Sequence, residues 1–499
     1  MRKTCSRLGW VAIVLGVATS AFAQGRGGGA WPTVSADAQR TASVRTDPKI
    51  SVASLQQPGF QFLWKRKLDS GPLTQPLLLP NIIAYKGFKA LAFVASGTGG
   101  VYSVDFDLNR MFWEQKLRAP APASGTTACP ARPPAITRVT PVAPPAPGAR
   151  GAGGGGRGRG AGGPQIANGR GGNDNIFAIS GDGLVHVMNP QIGTDQIPPI
   201  KFLPANANVV GSILVDNVLY AATTGTCGGA PNGVWAVDLV SDAKTVSSFD
   251  AKGAALVGTA APTFGTDGTI YIATGAGNSA IANAIVSLEA KTLVQKNWFS
   301  AGASPFTSHP IVFQYKGKDL LVAANKDGSL YVLDGASMGG VDHKTALHKS
   351  TRFSTGGAGV TGLSTWQDAA GTRWIIATVN GSLAADTKFA MSNGAGAKGA
   401  LVAFTVVDQN DVPTLQPQWV SRDLASPVTP AVVNGVVFAL ASSPAVLYAL
   451  DGATGKELWT SGNTIASSVR GIGPSAGDSQ VYVVTSDGTL YTFGMPAER

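Results

Sequence analysis

The chain has 499 residues, 44% of them apolar, which is enough to bury a large core and excludes a disordered polypeptide. Its formal charge is +10, and three of the basic residues fall within the first seven. With four scattered histidines, no HExxH and no CxxCH, the chain lacks the pattern of a zinc enzyme or a c-type haem protein.

Residues 1–23 read as a secretion signal. Arg2, Lys3 and Arg7 form a positive n-region, LGWVAIVLGVATS an apolar h-region, and Ala21-Phe22-Ala23 a small-residue cleavage site before Gln24. The apolar run is short for a bilayer span and no other stretch reaches its length, so no transmembrane segment is expected. Cys5 lies in the n-region, where it cannot accept a lipoprotein anchor. The expectation is a soluble protein of the periplasm or the extracellular space, with a net charge of +7 once the three n-region bases are gone. Residues 24–59 form a polar N-terminal extension, which serves either as a tether or as a segment packed on the domain that follows.

From residue 60 the chain repeats with a period of about 45 residues, the range of propellers and solenoids. One half of the unit is a hairpin turning at Asp-Gly: NIFAISGDGLVHVMN (175–189), KDLLVAANKDGSLYVLDG (318–335) and SQVYVVTSDGTLYTFG (479–494). The other half runs from a third strand through a turn to an aromatic residue, as in VYSVDFDLNRMFW (101–113), IVSLEAKTLVQKNW (285–298) and LYALDGATGKELW (447–459). Acids after the third strand (Asp105, Asp238, Glu289, Asp334 and Asp451) are expected to accept hydrogen bonds from their own turn. Trp113, Trp298, Trp419 and Trp459 are expected to pack between neighbouring sheets.

Eight third strands can be counted: VYSVD, LVHVM, VWAVD, IVSLE, YVLDG, LVAFT, YALDG and LYTFG. The last copy has no fourth strand, whereas FQFLWKRKL (60–68) is a spare one at the other end. The fold class expected is therefore all-β, an eight-bladed β-propeller of four-stranded antiparallel blades over 60–494, closed by an N-terminal strand.

Two insertions interrupt the repeat. PVAPPAPGARGAGGGGRGRGAGGPQIANGRGG (141–172) falls between the first and second strands of blade two, and its composition predicts disorder. It lacks the interleaved aromatics of a nucleic-acid-binding tail, so no nucleic-acid partner is expected. NGSLAADTKFAMSNGAGAKG (380–399) extends the second-to-third hairpin of blade six, either as a lid or partner-contacting loop or as a plain surface excursion. Cys129 and Cys227 fall on one face of adjacent blades, and an isolated pair in an oxidising compartment predicts a disulfide.

LYALDGATGKELW, LYVLDG and VWAVDL resemble the pyrroloquinoline-quinone (PQQ) repeat, whose blades end in an aLDaxTGkxlW motif. The resemblance covers roughly residues 60–494 and implies the propeller. It does not imply one activity, because the family contains PQQ-dependent alcohol and sugar dehydrogenases and also non-catalytic scaffolds of outer-membrane assembly.

By resemblance to the dehydrogenases, Lys326 occupies the place of a quinone-contacting Lys or Arg. IYIATGAGN resembles their TGN calcium-binding segment, although position 276 is alanine and Asn278 lies two residues on. His309 and Arg470, at the starts of first strands, are further candidates for contacts in the channel. Where those enzymes carry an Asp-rich loop with the catalytic base, this chain has FSAGASPFTSH, and it has no vicinal cysteine pair. No catalytic residue and no metal ligand can therefore be named. PQQ with calcium is the only cofactor the resemblance suggests. The expected role is a monomeric binding or scaffolding module for a small molecule or cell-envelope protein, and the alternative is a quinoprotein oxidoreductase with a divergent site.

Overall fold

A computed structural model of the chain describes residues 30–84, 87–118, 129, 132–142 and 174–496. The signal segment and residues 143–172 of the Gly/Pro/Arg-rich insertion, with its expected disorder, lie outside these. Eight antiparallel sheets follow one another in chain order, each built from a four-stranded meander, so the chain is an eight-bladed β-propeller. Blade five shows the pattern: Ile311–Tyr315, Lys318–Ala324, Leu330–Asp334 and His348–Lys349 pair in sequence order.

Blade eight closes the ring. Gln61–Lys67 pairs antiparallel with Thr489–Gly494, from Gln61 opposite Gly494 to Lys67 opposite Thr489, and so supplies the strand missing from the C-terminus. The ring has no open seam at that point, since the outer strand of blade eight comes from the other end of the chain.

The core lies between blades. In Lys318–Ala324, Leu320, Val322 and Ala324 face one neighbouring sheet, while Leu321 and Ala323 face the other. Successive strand side chains point to opposite faces, so a strand buried on both sides reads as an unbroken apolar run. Each buried Leu or Val of this kind contributes about 1.5–3 kcal/mol, and each alanine less.

The repeat motif is the joint between neighbouring blades. Asp238, Asp334 and Asp451 each accept two backbone N–H groups of their own turn, from Val240 and Ser241, Ala336 and Ser337, and Ala453 and Thr454. The outer-strand tryptophans then cross to the next sheet: Trp64 Nε1 donates to Phe106 O, Trp113 to Pro190 O and Trp419 to Gly452 O, at 2.8–3.0 Å. The hairpin glycines have a second joint. Gly328 sits at φ +86°, and an added Cβ would come within 2.2 Å of Ser354 O on the strand entering blade six.

The strands flanking the Gly/Pro/Arg-rich stretch, Ala135–Arg138 and Ile176–Ile179, are the first and second of blade two. Cys129 and Cys227 form a disulfide with 5.8 Å between their Cα atoms. The blade-six loop is fastened along the outside of its own sheet. Met391–Ser392 adds a short parallel strand beside Trp419–Val420, Phe389 packs edge-on to Phe404, and Gly396 N donates to Asp423.

Among the described residues, no helix is long and apolar enough to cross a membrane.

Candidate functional site

The connections into first strands and the second-to-third hairpins share one face of a propeller, here called the upper face. Asn278 lies there in the blade-four hairpin, Lys326 in the blade-five hairpin and Arg470 on the way into blade eight, and all three are exposed. His309, two residues before the first strand of blade five, is instead 3% exposed, below that surface. These four residues do not form one cluster of touching side chains. The acid-free segment between Trp298 and His309 is held by packing: Phe306 is buried against Phe299 and Tyr331, with ring centroids 5.9–6.3 Å away.

The N-terminal extension occupies the axis of the ring. Residues 31–47 form a strap that touches the first strand of every blade in order, or the turn after it. Trp31 pairs with Leu78 of blade one, Pro32 O accepts from Arg138 N of blade two, and the Thr33 hydroxyl donates to Ser212 O of blade three. Ala38 O accepts from Phe264 N, Gln39 O from Val312 N, Thr41 O from Thr365 N and Ala42 O from Val432 N, which covers blades four to seven at 2.8–3.1 Å. Ser43–Val44 adds a parallel strand inside blade seven, and the Asp47 carboxylate accepts from Ser479 N and Oγ in blade eight.

The strap fits because it is made of small and hydrogen-bonding residues. The inner edge of each blade presents unpaired N–H and C=O groups, which are costly to bury without partners. Strap backbone supplies those partners, while Trp31, Ala36, Ala42 and Val44 join the buried cluster of blades seven, eight and one.

This arrangement buries charge. Arg40 is 0% exposed, and burial lowers its guanidinium to about 9. Its Nε donates to Pro262 O and its Nη1 to Thr33 Oγ1 and Val34 O. Burial raises the Asp37 carboxyl, which accepts from Thr41 N and Oγ1. Burial, helped by the charge of Arg40, pushes the His309 imidazole down to about 3, so the ring is neutral at physiological pH. Two further guanidiniums lie in the ring wall: Arg138, which donates to Leu78 O, and Arg373, whose guanidinium lies 5.3 Å from the ring centroid of Phe313. Burial lowers each of them to about 10.

One arrangement was not legible in the sequence. In blade two His186 Nε2 lies 3.1 Å from Ser180 Oγ, and its Nδ1 lies 2.9 Å from Asp195 Oδ2, the order of a Ser-His-Asp triad. The serine is already committed to its turn: its N–H donates to Leu184 O, and its hydroxyl meets Asp182 and Leu184 O as well. Thr485 of blade eight makes the same two contacts, with Asp487 and Thr489 O, where there is no histidine. Ser180 is thus a turn-fixing hydroxyl, 4% exposed, and its own N–H is not free to stabilise an oxyanion. Among the described residues no group of three or more His, Cys, Asp or Glu side chains is placed to hold a metal ion.

Comparison with known proteins agrees with this architecture. The family model described as outer membrane protein assembly factor BamB matches residues 361–495, the region of blades six to eight. No curated protein sequence matches the chain. Among solved structures, the quinohemoprotein alcohol dehydrogenase ADHIIG from Pseudomonas putida HK5 is similar over 94% of this chain and 81% of its own, with 13% identity and a TM-score of 0.61. A europium-containing methanol dehydrogenase is similar over 94% of this chain and 98% of its own, with 12% identity and a TM-score of 0.59. Saccharomyces cerevisiae Sqt1 is similar over 88% of this chain and 100% of its own, with 10% identity and a TM-score of 0.53. At such identities the structural likeness speaks for the fold alone. With the repeat motif, the eight-sheet ring and the match over residues 361–495 in hand, the chain is an eight-bladed β-propeller that resembles the PQQ-like repeat family.

Proposed function

We propose that this protein is an exported binding or scaffolding propeller, not a dehydrogenase. The observation that carries the reading is the strap: the ring axis, where a channel ligand would sit, is filled by the chain's own residues 31–47. The residues at the family's catalytic positions point the same way and do not fit calcium-bound PQQ. FSAGASPFTSH offers no carboxylate as base, and position 276 offers a methyl group in place of a calcium-binding amide. What remains for recognition is the outer surface. The first hairpin of blade one, with Ile83 71% and Phe88 67% exposed, supports a protein-contacting role.

The test is a titration of the purified mature protein with PQQ and calcium, followed by quinone absorbance and by dye-linked oxidation of alcohols and aldoses. No saturable binding at micromolar cofactor is expected. Saturable binding with turnover would overturn the proposal in favour of the quinoprotein oxidoreductase. In that case Lys326, exposed on the upper face, becomes the first residue to change, and Lys326→Ala would weaken the cofactor at least tenfold.

A further inference from the structure

Buried guanidinium groups are ordinarily neutralised by a carboxylate in contact, because an uncompensated buried charge costs several kcal/mol. Arg40 has no such partner. Its bonding partners are two carbonyls and a hydroxyl, and its Nη2 is buried with no hydrogen-bond partner. The carboxylate of Asp37, on the same strap, is instead turned to Thr41.

A second orphan faces the same wall. His309 is 3% exposed, and both its ring nitrogens are buried without a partner, although a neutral imidazole always has one N–H to donate. Both side chains abut the connection into blade four. Pro262 O accepts from Arg40 Nε, Thr263 Oγ1 donates to Pro310 O at 2.8 Å, and a Cβ on Gly258 would come within 2.8 Å of His309 Nδ1. From the other side, Gln39 O accepts from Val312 N and ties the residue before Arg40 to the strand that follows His309.

We infer that Arg40 and His309 together form an internal anion site, in which the Arg40 Nη2 group and the His309 N–H donate to one small anion of the halide or short-chain carboxylate class. The ligand must be small because both side chains are closed off from solvent. An anion suits the site because no carboxylate reaches Arg40 in hydrogen-bond contact: Asp37 acts on its charge only through space, its oxygens being taken by Thr41. The site exists only when the strap is seated, since Arg40 belongs to the strap and His309 to the ring. The inference does not rest on the binding or scaffolding role proposed above.

Crystals of the mature protein grown with bromide as the only halide would test this by anomalous diffraction. A bromide peak within hydrogen-bond distance of Arg40 Nη2 is expected, and peaks confined to the outer surface would overturn the site. In solution, replacing chloride by the bulkier gluconate at constant ionic strength should lower the wild-type Tm by a few degrees, as ligand linkage requires. Arg40→Met should abolish that dependence, and an unchanged dependence in a folded Arg40→Met protein would overturn the assignment. Should Arg40→Met fail to fold, His309→Leu, which removes the ring donor, carries the same comparison, and the bromide experiment needs no variant at all.

Discussion

Gly455 and Trp419 meet face to face across the joint between blades seven and six: a Cβ on the glycine would lie 2.6 Å from the indole ring. The glycine sits at φ +70°, and the ring is held by its own N–H bond to Gly452 O at 2.9 Å. The Thr-Gly of the repeat motif is therefore the seat for the previous blade's tryptophan, and this explains why the two recur together.

Gly455→Ala should be strongly destabilising for a change in a turn. A left-handed conformation costs an alanine about 1–2 kcal/mol, and overpacking against the fully buried Trp419 adds about 1–3 kcal/mol. Urea unfolding would show the loss. Gly462, also at positive φ but with nothing within 4 Å of an added Cβ, is the control and should lose only the conformational part.

The strap makes a different demand. Arg45 and Thr46 are exposed, between the buried Val44 and the helix Val52–Leu55, so a protease site inserted there can be cut in the folded protein. The released N-terminal fragment should stay with the ring through native size exclusion and leave only in denaturant. A fragment that separates under native conditions from a ring of unchanged stability would show that the strap does not hold the blades together.

Why the ring was legible and the strap was not follows from the same physics. Asp-Gly turns, third-strand acids and terminal tryptophans recur because every blade solves one packing problem, and FQFLWKRKL advertised itself as a strand lacking a sheet. SADAQRTASV shows neither period two nor period 3.6. Its burial comes from eight inner strand edges that only the closed ring brings together, so no local pattern encodes it. The same holds for Arg40, an unremarkable polar residue in sequence and one of the largest fully buried side chains in the fold. The pairing of Cys129 with Cys227 was readable because blade register places both residues on one face. The outward course of the blade-six loop was not, because it depends on the free edge beside Trp419.

Acid should weaken the fold through His309. Its folded value of about 3 lies below the ordinary histidine value of 6.5, so between these the unfolded chain binds the extra proton. The stability from the buried neutral ring is complete above pH 6.5 and is lost as pH falls towards 3, by up to about 1.4 kcal/mol per unit. Denaturant unfolding across that window should show a shallower pH slope for His309→Gln than for wild type. Equal slopes would place the acid sensitivity elsewhere.

The disulfide should contribute measurably. It joins residues 98 apart in sequence, ahead of blade two and within blade three, and Cys227 is 2% exposed. Reduction in denaturant, or Cys129→Ser with Cys227→Ser, should cost about 2–4 kcal/mol in urea unfolding. Free thiols found by non-reducing mass spectrometry of the purified, unreduced protein would refute the bond.

Asp107 should behave in the opposite sense to His309. Partial desolvation, reinforced by Asp478 and Asp105 nearby, raises its carboxyl from 3.8 to about 6, although the side chain is exposed and solvent screening reduces the effect on stability. A carboxyl raised on folding binds its proton more tightly in the native state, so stability falls as pH rises through the interval from 3.8 to about 6. At neutral pH the ionised group opposes the fold, at the seam where the turn of blade one meets that of blade eight. Asp107→Asn removes the charge and keeps the shape, so its Tm should exceed wild type at pH 7 and match it at pH 4, where both side chains are largely neutral. A variant that is less stable than wild type at pH 7 would show that the carboxylate holds the seam together.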